Sequence, residues 1–335
     1  MKKYRILCLT DHKSHSKENS LYAIVSKLSR NSRCEEIVVA SRSNEENNTF
    51  FFDHKFHSLF AIKVDDQFDF ESSKENLMSV NNRIFVDEYD IIFLRLPRPV
   101  TDDFLFSLEA TFPDKLFINQ PSGIVKCSNK SVLLNFEDVC PPIKLCKSVD
   151  EIIEFSKLHD IVLKPLKEYG GKGLVRIMNS ALNDGKEDHN VYEYLEKMET
   201  IIRSEGLMAM KYLTNVKLGD KRLLVVGGEV LAASLRMPAK GSWLCNVSMG
   251  GSAQIAEADE DELDIVRIID PFLSKNGIFI YGVDTLVDDS GKRILSEINA
   301  LSIGGFKQAE EQTGKPVLQI TTNKIFDYAD VHFGL

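Results

Sequence analysis

Residues 161–177 combine a lysine with a cluster of glycines in a pattern that could bind the phosphates of a nucleotide. Lys164 ends the apolar run Ile161–Leu163, which predicts a buried strand, and a second apolar run begins at Leu174. The glycines between the two runs are Gly170, Gly171 and Gly173. A glycine-rich turn lets backbone N–H groups approach phosphate oxygens, and a lysine held on a strand supplies a positive charge. The alternative is an ordinary hairpin turn, which these residues alone leave open.

Two better-known phosphate motifs are absent from the sequence. None of the Gly-Lys pairs is followed by Ser or Thr in the spacing of a P-loop. The first apolar run ends in Thr10-Asp11-His12, without the glycines of a dinucleotide-binding fingerprint. A nucleotide site in this chain must therefore be of another kind.

Three oxygen-bearing side chains near the end of the chain could hold a hard cation. Asp284 ends the apolar run that begins at Ile278, while Glu297 and Asn299 lie two residues apart on another run. The two-residue period of a strand places Glu297 and Asn299 on one face, and a neighbouring strand could add Asp284. Oxygen ligands of this kind suit Mg²⁺ bound to ATP phosphates. A hairpin with solvated acids at its edge is the alternative.

Taken in order, these motifs resemble the ATP-grasp superfamily and, within it, the bacterial glutathione synthetases. The resemblance extends from about residue 90 to about residue 315. It is carried by six short motifs, at residues 93–95, 118–121, 128–130, 163–166, 219–226 and 297–299. The Gly-Asp-Lys-Arg sequence that begins at Gly219 is especially specific.

The resemblance implies an α/β (α+β) protein, in which an N-terminal parallel-sheet α/β domain precedes an ATP-grasp fold. We expect the N-terminal domain at residues 1–122, a small lid subdomain at 123–205 and a C-terminal sheet domain with the metal and substrate site at 206–335. The apolar patterns predict strands at 4–9, 37–40, 90–96, 116–119, 161–164 and 174–177, and helices at 20–28, 150–159 and 191–203. They also predict that Met208–Leu213 begins the larger antiparallel sheet.

The resemblance further implies an ATP-dependent carbon–nitrogen ligase. In this superfamily a carboxylate attacks the γ-phosphorus of ATP to give an acyl phosphate, and an amine then displaces phosphate. Glutathione synthesis from γ-glutamylcysteine and glycine is the leading activity. The alternatives are a ligase for another amino acid or peptide, an ATP-binding regulatory module without turnover, and an ATP-dependent modifier of a protein tail.

Motif positions imply roles for individual residues at the ATP end. Lys130 and Lys164 are expected at the ATP phosphates, under a loop that contains Gly170, Gly171 and Gly173. Adenine is expected beside the segment 208–213, with Lys211 and Leu213 as its contacts. The expected ligands of Mg²⁺ are Asp284, Glu297 and Asn299. Two ions are expected, and Mn²⁺ is a possible substitute.

At the reacting end, the resemblance assigns Arg222 and Arg236 to the γ-phosphate and the acyl phosphate, where a bidentate guanidinium suits the charge. Without the motif, a pair of surface salt bridges is the favoured explanation of these arginines. The segment 239–250 resembles a mobile loop that excludes water, and Asn246 is its expected polar contact with the reacting groups.

The substrate end departs from the family pattern in three places. Substrate contacts are expected from Arg95, Ser302, Gly304 and Gly305. However, Leu96-Pro97-Arg98 replaces the usual Asp-Pro-Pro, Leu244 stands where the loop usually has arginine, and Ile303 follows Ser302 where proline is usual. For another carboxylate substrate, Arg95, Arg98 and Lys307 are the candidate contacts. ATP use is therefore better supported than the identity of the substrates.

Composition agrees with a small-molecule enzyme. The chain has 335 residues, a formal net charge of −9 and 43% hydrophobic residues, which predicts two or three packed units. The negative charge argues against nucleic-acid and membrane partners. Six cysteines without metal spacing, and the lack of a signal-like apolar run, favour a soluble cytoplasmic protein. The resemblance suggests a homo-oligomer built through the N-terminal unit.

Overall fold

The computed structural model describes residues 2–80, 82–168, 170–179, 181–241, 243–245 and 250–335. In chain order the strands are β1 (Tyr4–Thr10), β2 (Cys34–Ser41), β3 (Ser58–Phe60), β4 (Ile62–Lys63), β5 (Arg83–Phe85), β6 (Ile91–Arg95), β7 (Leu116–Ile118), β8 (Ile143–Cys146), β9 (Ile161–Pro165), β10 (Val175–Met178), β11 (Ala181–Asn183), β12 (Asp188–His189), β13 (Leu207–Lys211), β14 (Asp220–Val226), β15 (Glu229–Met237), β16 (Ser252–Ala256), β17 (Ile280–Val287) and β18 (Arg293–Asn299).

The α-helices are α1 (Ser20–Ser29), α2 (Asn48–Phe51), α3 (Phe70–Ser79), α4 (Asp102–Thr111), α5 (Pro121–Cys127), α6 (Val149–Leu158), α7 (Val191–Lys197), α8 (Glu199–Ser204), α9 (Glu260–Lys275), α10 (Phe306–Thr313) and α11 (Val317–His332). No helix in the described part of the chain has both the length and the apolar character needed to cross a membrane.

The first sheet, in the order β4-β2-β1-β6-β7, contains the N-terminal strands. Strands β2, β1, β6 and β7 run parallel, and only the short edge strand β4 is antiparallel. Their continuous apolar runs are buried, as expected when helices cover both faces of a parallel sheet. The four strands predicted for this region are confirmed, and the chain order reverses at β1. Loops that follow β1 and β6 therefore share one edge of the sheet.

The second sheet has the order β12-β11-β10-β9-β13-β8. The glycine-rich turn joins its antiparallel strands β9 and β10, as predicted. Strand β13 lies between β9 and β8, so the prediction that residues 208–213 begin the larger antiparallel sheet was wrong. An apolar five-residue strand fits either sheet, and only its pairing partners, far away in sequence, decide between them.

The third sheet has the order β16-β15-β14-β17-β18 and is antiparallel throughout. Alternate residues of β14 face opposite sides. Lys221 points toward α9, where its Nζ lies 2.6 Å from Glu262 Oε2, while Arg222 points to the other side. Helix α9 thereby covers one face of the sheet and leaves the other face open for a site.

The C-terminal helices return to the N-terminal sheet, which the sequence did not indicate. Tyr4 Oη donates a 2.6 Å hydrogen bond to Asp330, and Arg33 forms a 2.7 Å ion pair with Asp327. The buried apolar side chains of the first sheet, the third sheet and these helices form one continuous core, whereas those of the second sheet form a separate core. The domain bounds at 122 and 205 stay predictions.

Asn119 joins the first sheet to the third. Its Nδ2 donates to the carbonyl oxygens of Ile280 and Ala300 at 2.6 and 2.8 Å. Its Oδ1 accepts from the backbone N–H groups of Phe279 and Ile280 at 2.9 and 2.8 Å. The side chain is only 6% exposed, so replacing it would leave these backbone groups without a partner or water.

We expect Asn119→Ala to destabilise the protein by roughly 3–5 kcal/mol, because it leaves several buried backbone groups unpaired. The apparent melting temperature in a thermal scan should fall by roughly 5–10 °C. Asn76→Ala is the control, since Asn76 is exposed and, within the described part of the chain, its side chain bonds to Ser72 of its own helix. A similar loss in both variants would contradict the role of Asn119 as a junction.

Candidate active site

A cavity of about 560 Å³ opens where the first and third sheets meet the second. Its walls come from the loop after β6, the start of the segment that follows α5, the glycine-rich turn, the open face of the third sheet, and α10. The polar and charged side chains in these walls are Arg98, Ser128, Lys130, Glu168, Arg222, Ser234, Arg236, Glu297, Asn299, Ser302, Gln308, Gln312 and Thr313. Such a mixture of small apolar and convergent charged groups is typical of a site for a small, charged ligand.

Two arginines and two aspartates form an ion-pair network on the floor of the cavity. Arg222 donates two hydrogen bonds of 2.6 Å to the two carboxylate oxygens of Asp284. Arg236 holds Asp220 in the same bidentate manner, at 2.6 and 2.7 Å, and also lies 2.9 Å from Asp284. Arg236 is only 7% exposed, so these are not the surface salt bridges that the sequence left open.

Strand register creates this network. Arg222 lies directly opposite Asp284 on β17, and Asp220, two residues earlier on the same face, lies opposite Arg236 on β15. Side chains directly opposite each other in an antiparallel pair are close enough to interact. A slip of β14 by one residue would turn Arg222 and Asp220 toward α9 and break both of these ion pairs.

Burial and charge shift the pKa values of the network in opposite directions. Burial acts to raise the pKa of Asp284, but Arg222 and Arg236 outweigh it and lower that pKa well below its usual range. Burial and the charge of Asp284 raise the pKa of Asp220, despite its contact with Arg236. Burial opposes the charge of Arg236, but Asp284 and Asp220 together raise its pKa. The guanidinium thus holds two carboxylates that would otherwise repel each other.

Lys164 and Lys130 stand next to this network. Lys164 is 6% exposed, and its Nζ donates to the backbone oxygen and the hydroxyl of Ser296, both at 3.2 Å. Burial lowers the pKa of Lys164, which the Glu297 carboxylate partly offsets. Lys130 donates to the backbone oxygen of Glu168, and its Nζ lies 3.8 Å from Glu297 Oε1. Two buried cations therefore flank one carboxylate.

The predicted convergence of Asp284, Glu297 and Asn299 is confirmed. Glu297 lies opposite Asp284 in the β17–β18 pair, and Asn299 Nδ2 donates to Asp284 Oδ2 at 3.3 Å. Two carboxylates and an amide oxygen are hard oxygen donors, so this set fits Mg²⁺. Because Arg222 and Arg236 already occupy both oxygens of Asp284, a cation bound here competes with guanidinium groups for that carboxylate.

The far end of the cavity lies between the loop after β6 and the start of α10. Ser302, Gly304 and Gly305 line it, together with Arg98. Arg95 does not line it. It is 6% exposed, donates to the backbone oxygen of Ile303 at 2.7 Å, and its burial lowers its pKa to about 10.

Known proteins resemble this chain in sequence and in structure. The family "Prokaryotic glutathione synthetase, ATP-grasp domain" matches residues 129–314. A glutathione synthetase of Agrobacterium fabrum is 30% identical over 252 residues, which cover 74% of this chain and 75% of the relative.

The chain belongs to the prokaryotic glutathione synthetase family of ATP-grasp enzymes.

Solved structures of the same fold extend over nearly the whole chain. A D-cycloserine synthetase matches with a TM-score of 0.66 at 12% identity, covering 97% of this chain and 99% of that one. The D-alanine–D-alanine ligase of Bacillus anthracis, complexed with ATP, matches with a TM-score of 0.58 at 14% identity, covering 100% and 99%. The predicted ATP-grasp fold, preceded by a parallel N-terminal sheet, is confirmed.

Membership of the glutathione synthetase family makes this chain a glutathione-synthetase-like ATP-dependent ligase for small-molecule substrates. ATP and Mg²⁺ are the cofactors of the family. The six-motif resemblance is therefore confirmed at the level of family, fold and enzyme class.

The cavity collects most of the residues that the motifs singled out. Those that line it are Lys130, Gly170, Arg222, Arg236, Glu297, Asn299, Ser302, Gly304 and Gly305. Asp284 bonds to the lining residues Arg222 and Arg236, and the charge of Lys164 interacts with that of the lining residue Glu297. The roles of all these residues stay predictions, because the geometry brings them together without showing what each one binds.

Other predicted residues lie outside the cavity. Gly171 and Gly173 belong to the turn after β9, where φ angles of 83° and 68° require glycine whatever the turn covers. Lys211 forms a 2.6 Å ion pair with Asp289, and Leu213 is buried. Asn246 lies outside the described residues, so its predicted role has no structural description.

Several residues of the site were missed by the sequence analysis. Asp220 belongs to the specific Gly-Asp-Lys-Arg motif, and its two-residue spacing from Arg222 was a signal that both share one face of β14. Gln308, Gln312 and Thr313 gave no signal, since the helix that carries them was not predicted. Trp243 lies in the 239–250 segment and was given no role, yet its Nε1 donates to Asn183 of β11 at 3.1 Å.

Arg236→Met should destabilise the protein by roughly 3–5 kcal/mol near neutral pH, because Asp220 then loses its counter-charge in a buried position. The pKa of Asp220 is already raised, and without Arg236 it rises further. The folded variant then binds a proton more readily than the unfolded chain, so its deficit relative to wild type should shrink as the pH falls from 8 to 5.

Thermal scans across that pH range measure the deficit. Arg267→Met provides the control, since the Arg267 side chain is 64% exposed and its ion pairs lie on the surface. If the stability deficit of Arg236→Met does not change with pH, repulsion between Asp220 and Asp284 is not the cause of that deficit.

Proposed function

We propose that this protein joins the cysteinyl carboxylate of γ-glutamylcysteine to the amino group of glycine, with conversion of ATP to ADP and phosphate. The family supplies the reaction class. The observation that carries the proposal for this chain is the buried network of Arg222, Arg236, Asp220 and Asp284 beside Glu297, on the floor of a 560 Å³ cavity. That network places fixed positive charges where, in the proposed reaction, the substrate carboxylate must approach the triphosphate of ATP.

In the first step, a carboxylate oxygen of the substrate attacks the γ-phosphorus of ATP, the bond to the β–γ bridging oxygen breaks, and ADP leaves. Carboxylate and triphosphate repel each other, so the barrier depends on fixed positive charge. We assign Arg222 and Arg236 to the transferred phosphoryl group, and Lys130 and Lys164 to the other phosphates. All four are held by hydrogen bonds or ion pairs before ligand arrives, which limits the reorganisation needed.

We assign Asp284, Glu297 and Asn299 to Mg²⁺, with two ions expected and Mn²⁺ a possible substitute. Bound there, Mg²⁺ neutralises phosphate charge. Asp284 is kept ionised by Arg222 and Arg236, because they lower its pKa. Asp284 would therefore offer its oxygen donors to a cation in the charged form.

In the second step, the amino nitrogen of glycine attacks the acyl carbon, phosphate leaves, and the nitrogen gives up a proton. Water must be excluded, because it would hydrolyse the acyl phosphate. We assign this role to the 239–250 loop, with Asn246 as its polar contact. Support comes from Trp243, whose side chain contacts Asn183 of β11 and Tyr212, the residue after β13. Both belong to the second sheet or its edge, whereas the loop connects β15 and β16 of the third sheet. The described part of the loop therefore joins the two sheets.

For adenine we retain the segment 208–213, which covers most of β13 and the two residues after it, with Lys211 and Leu213 as contacts. The ion pair of Lys211 with Asp289 ties this segment to the β17–β18 turn of the third sheet. A base bound beside it would lie between the second and third sheets. The glycines at 170, 171 and 173 are assigned to the loop that covers the phosphates.

Substrate contacts are assigned to Arg95, Ser302, Gly304 and Gly305. The three departures from the family pattern all fall at this end, where Leu96 stands in place of the usual acid and Arg98 adds a cation to the cavity wall. A ligase for another amino acid or peptide is therefore the second candidate. A regulatory module without turnover is disfavoured, because it would be free to lose the metal-binding trio.

Homo-oligomerisation through the N-terminal unit stays a prediction. A cytoplasmic location is also proposed, supported by six cysteines that are all free and buried or half-buried, as suits a reducing compartment.

ADP release should require Mg–ATP, γ-glutamylcysteine and glycine together. A panel of carboxylate donors, each assayed with and without glycine and other amines, tests this. Release with a different pair would keep the ligase chemistry and replace the substrates. If no pair of substrates gives ADP release although calorimetry shows that ATP binds, the result would favour the regulatory module.

Glu297→Gln should lower ADP release by on the order of 100-fold or more, because it removes a charged metal ligand at the transferred phosphoryl group. The fold should persist, since the Glu297 side chain is 25% exposed and partly open to the cavity. Glu199→Gln, a change in an exposed helical ion pair, is the matched control. Near-normal turnover in Glu297→Gln would remove the metal assignment.

A further inference from the structure

Gln308, in the first turn of α10, has an amide of which only one half is hydrogen-bonded. Its Nε2 donates to the backbone oxygen of Glu18 at 2.8 Å and to Glu18 Oε2 at 3.2 Å. Its Oε1 is buried and has no donor among the described residues. A buried carbonyl oxygen without a donor is unfavourable, so a partner supplied by a ligand would stabilise the complex.

The orientation of this amide follows from its neighbour. Glu18 offers two acceptors and no donor on that side, which the two hydrogens of Nε2 satisfy. Rotating the amide by 180° would place Oε1 against both oxygens of Glu18, which is repulsive. Gln308 therefore keeps its carbonyl oxygen turned away from Glu18.

Helix α10 is itself fixed in place by the N-terminal unit. Ser20 Oγ accepts hydrogen bonds from the backbone N–H groups of Gly305 and Phe306, at 3.0 and 3.1 Å. Gly305 precedes the helix and has no side chain to cap it, so Ser20 supplies the cap from 285 residues away. Ser20 is 1% exposed, which makes this a rigid attachment. Gln308 thus stands at a defined position in the cavity wall.

Gln308 is part of the cavity wall, so a molecule in the cavity that displaces the groups now covering Oε1 can supply the missing donor. The other polar side chains that α10 contributes to the wall, Gln312 and Thr313, are neutral. The cations Arg222 and Arg236 belong to another part of the wall, on strands β14 and β15 of the third sheet. An extended substrate would therefore place its reacting carboxylate at the arginines and a different group at α10.

We propose that Gln308 determines specificity by accepting a hydrogen bond from an amino group of the carboxylate substrate, remote from the carboxylate that reacts. This assignment rests on the proposed function and names the substrate class as amino acids or short peptides with a free amino group. For γ-glutamylcysteine, that group is the α-amino group of the glutamyl residue.

The test pairs two substrates with three forms of the enzyme. N-(4-carboxybutanoyl)cysteine differs from γ-glutamylcysteine only by lacking the amino group. Wild type should prefer γ-glutamylcysteine in kcat/KM by on the order of 10- to 100-fold. Gln308→Leu should lose most of that preference and leave the KM for ATP unchanged. Gln312→Leu, one turn further along α10 in the same wall, should keep the preference.

A Gln308→Leu enzyme that keeps the full preference overturns the assignment. Gln308→Met is a second route if Gln308→Leu does not fold, since its unbranched side chain is similar in length and its thioether is only a weak acceptor. It should also lower the preference severalfold, and an unchanged preference again counts against the proposal. Wild type that turns over neither compound while hydrolysing ATP with another donor overturns the proposed substrate, and this assignment with it.

Discussion

The contact between Arg222 and Asp284 is the interaction on which the organisation of the site depends. It crosses from β14 to β17 in the middle of the third sheet, with both guanidinium bonds at 2.6 Å. Because the pair is fixed by strand register, it also fixes where Glu297 and Arg236 project. One antiparallel pairing therefore determines the position of the cations and of the carboxylates that share the cavity floor.

The N-terminal unit contributes to this site mainly as a support. Asn119 binds the backbone around Ile280 at the start of β17, and Ser20 caps the helix that closes the far end of the cavity. Both side chains are buried and fully engaged with backbone groups of the C-terminal part. The N-terminal unit thereby holds two elements of the site in place, which is how a scaffold away from the ion-pair network can still influence the chemistry.

Periodicity was sufficient to predict the parts of the site that lie on neighbouring strands. The convergence of Glu297, Asn299 and Asp284 follows from the two-residue period of a strand, and the hairpin around Gly171 follows from glycines between two apolar runs. The apolar pattern of the sequence could not assign β13 (Leu207–Lys211) to its sheet, because strands of both sheets are similarly buried. The choice between them depends on pairing partners that are far away in the sequence. The cap from Ser20 to α10 and the contact of Trp243 with Asn183 were inaccessible for the same reason: they join residues that are distant in sequence.

The separate core of the second sheet has a thermodynamic consequence. Two cores that share few buried apolar side chains can open independently, so this sheet is expected to exchange its amide hydrogens as a unit of its own. A nucleotide held between the second and third sheets would bind only when both are folded, and by mass action would stabilise them jointly. The second sheet and the rest of the protein would then unfold cooperatively only in the complex. The strength of that cooperativity would depend on the nucleotide concentration and not on the polypeptide alone.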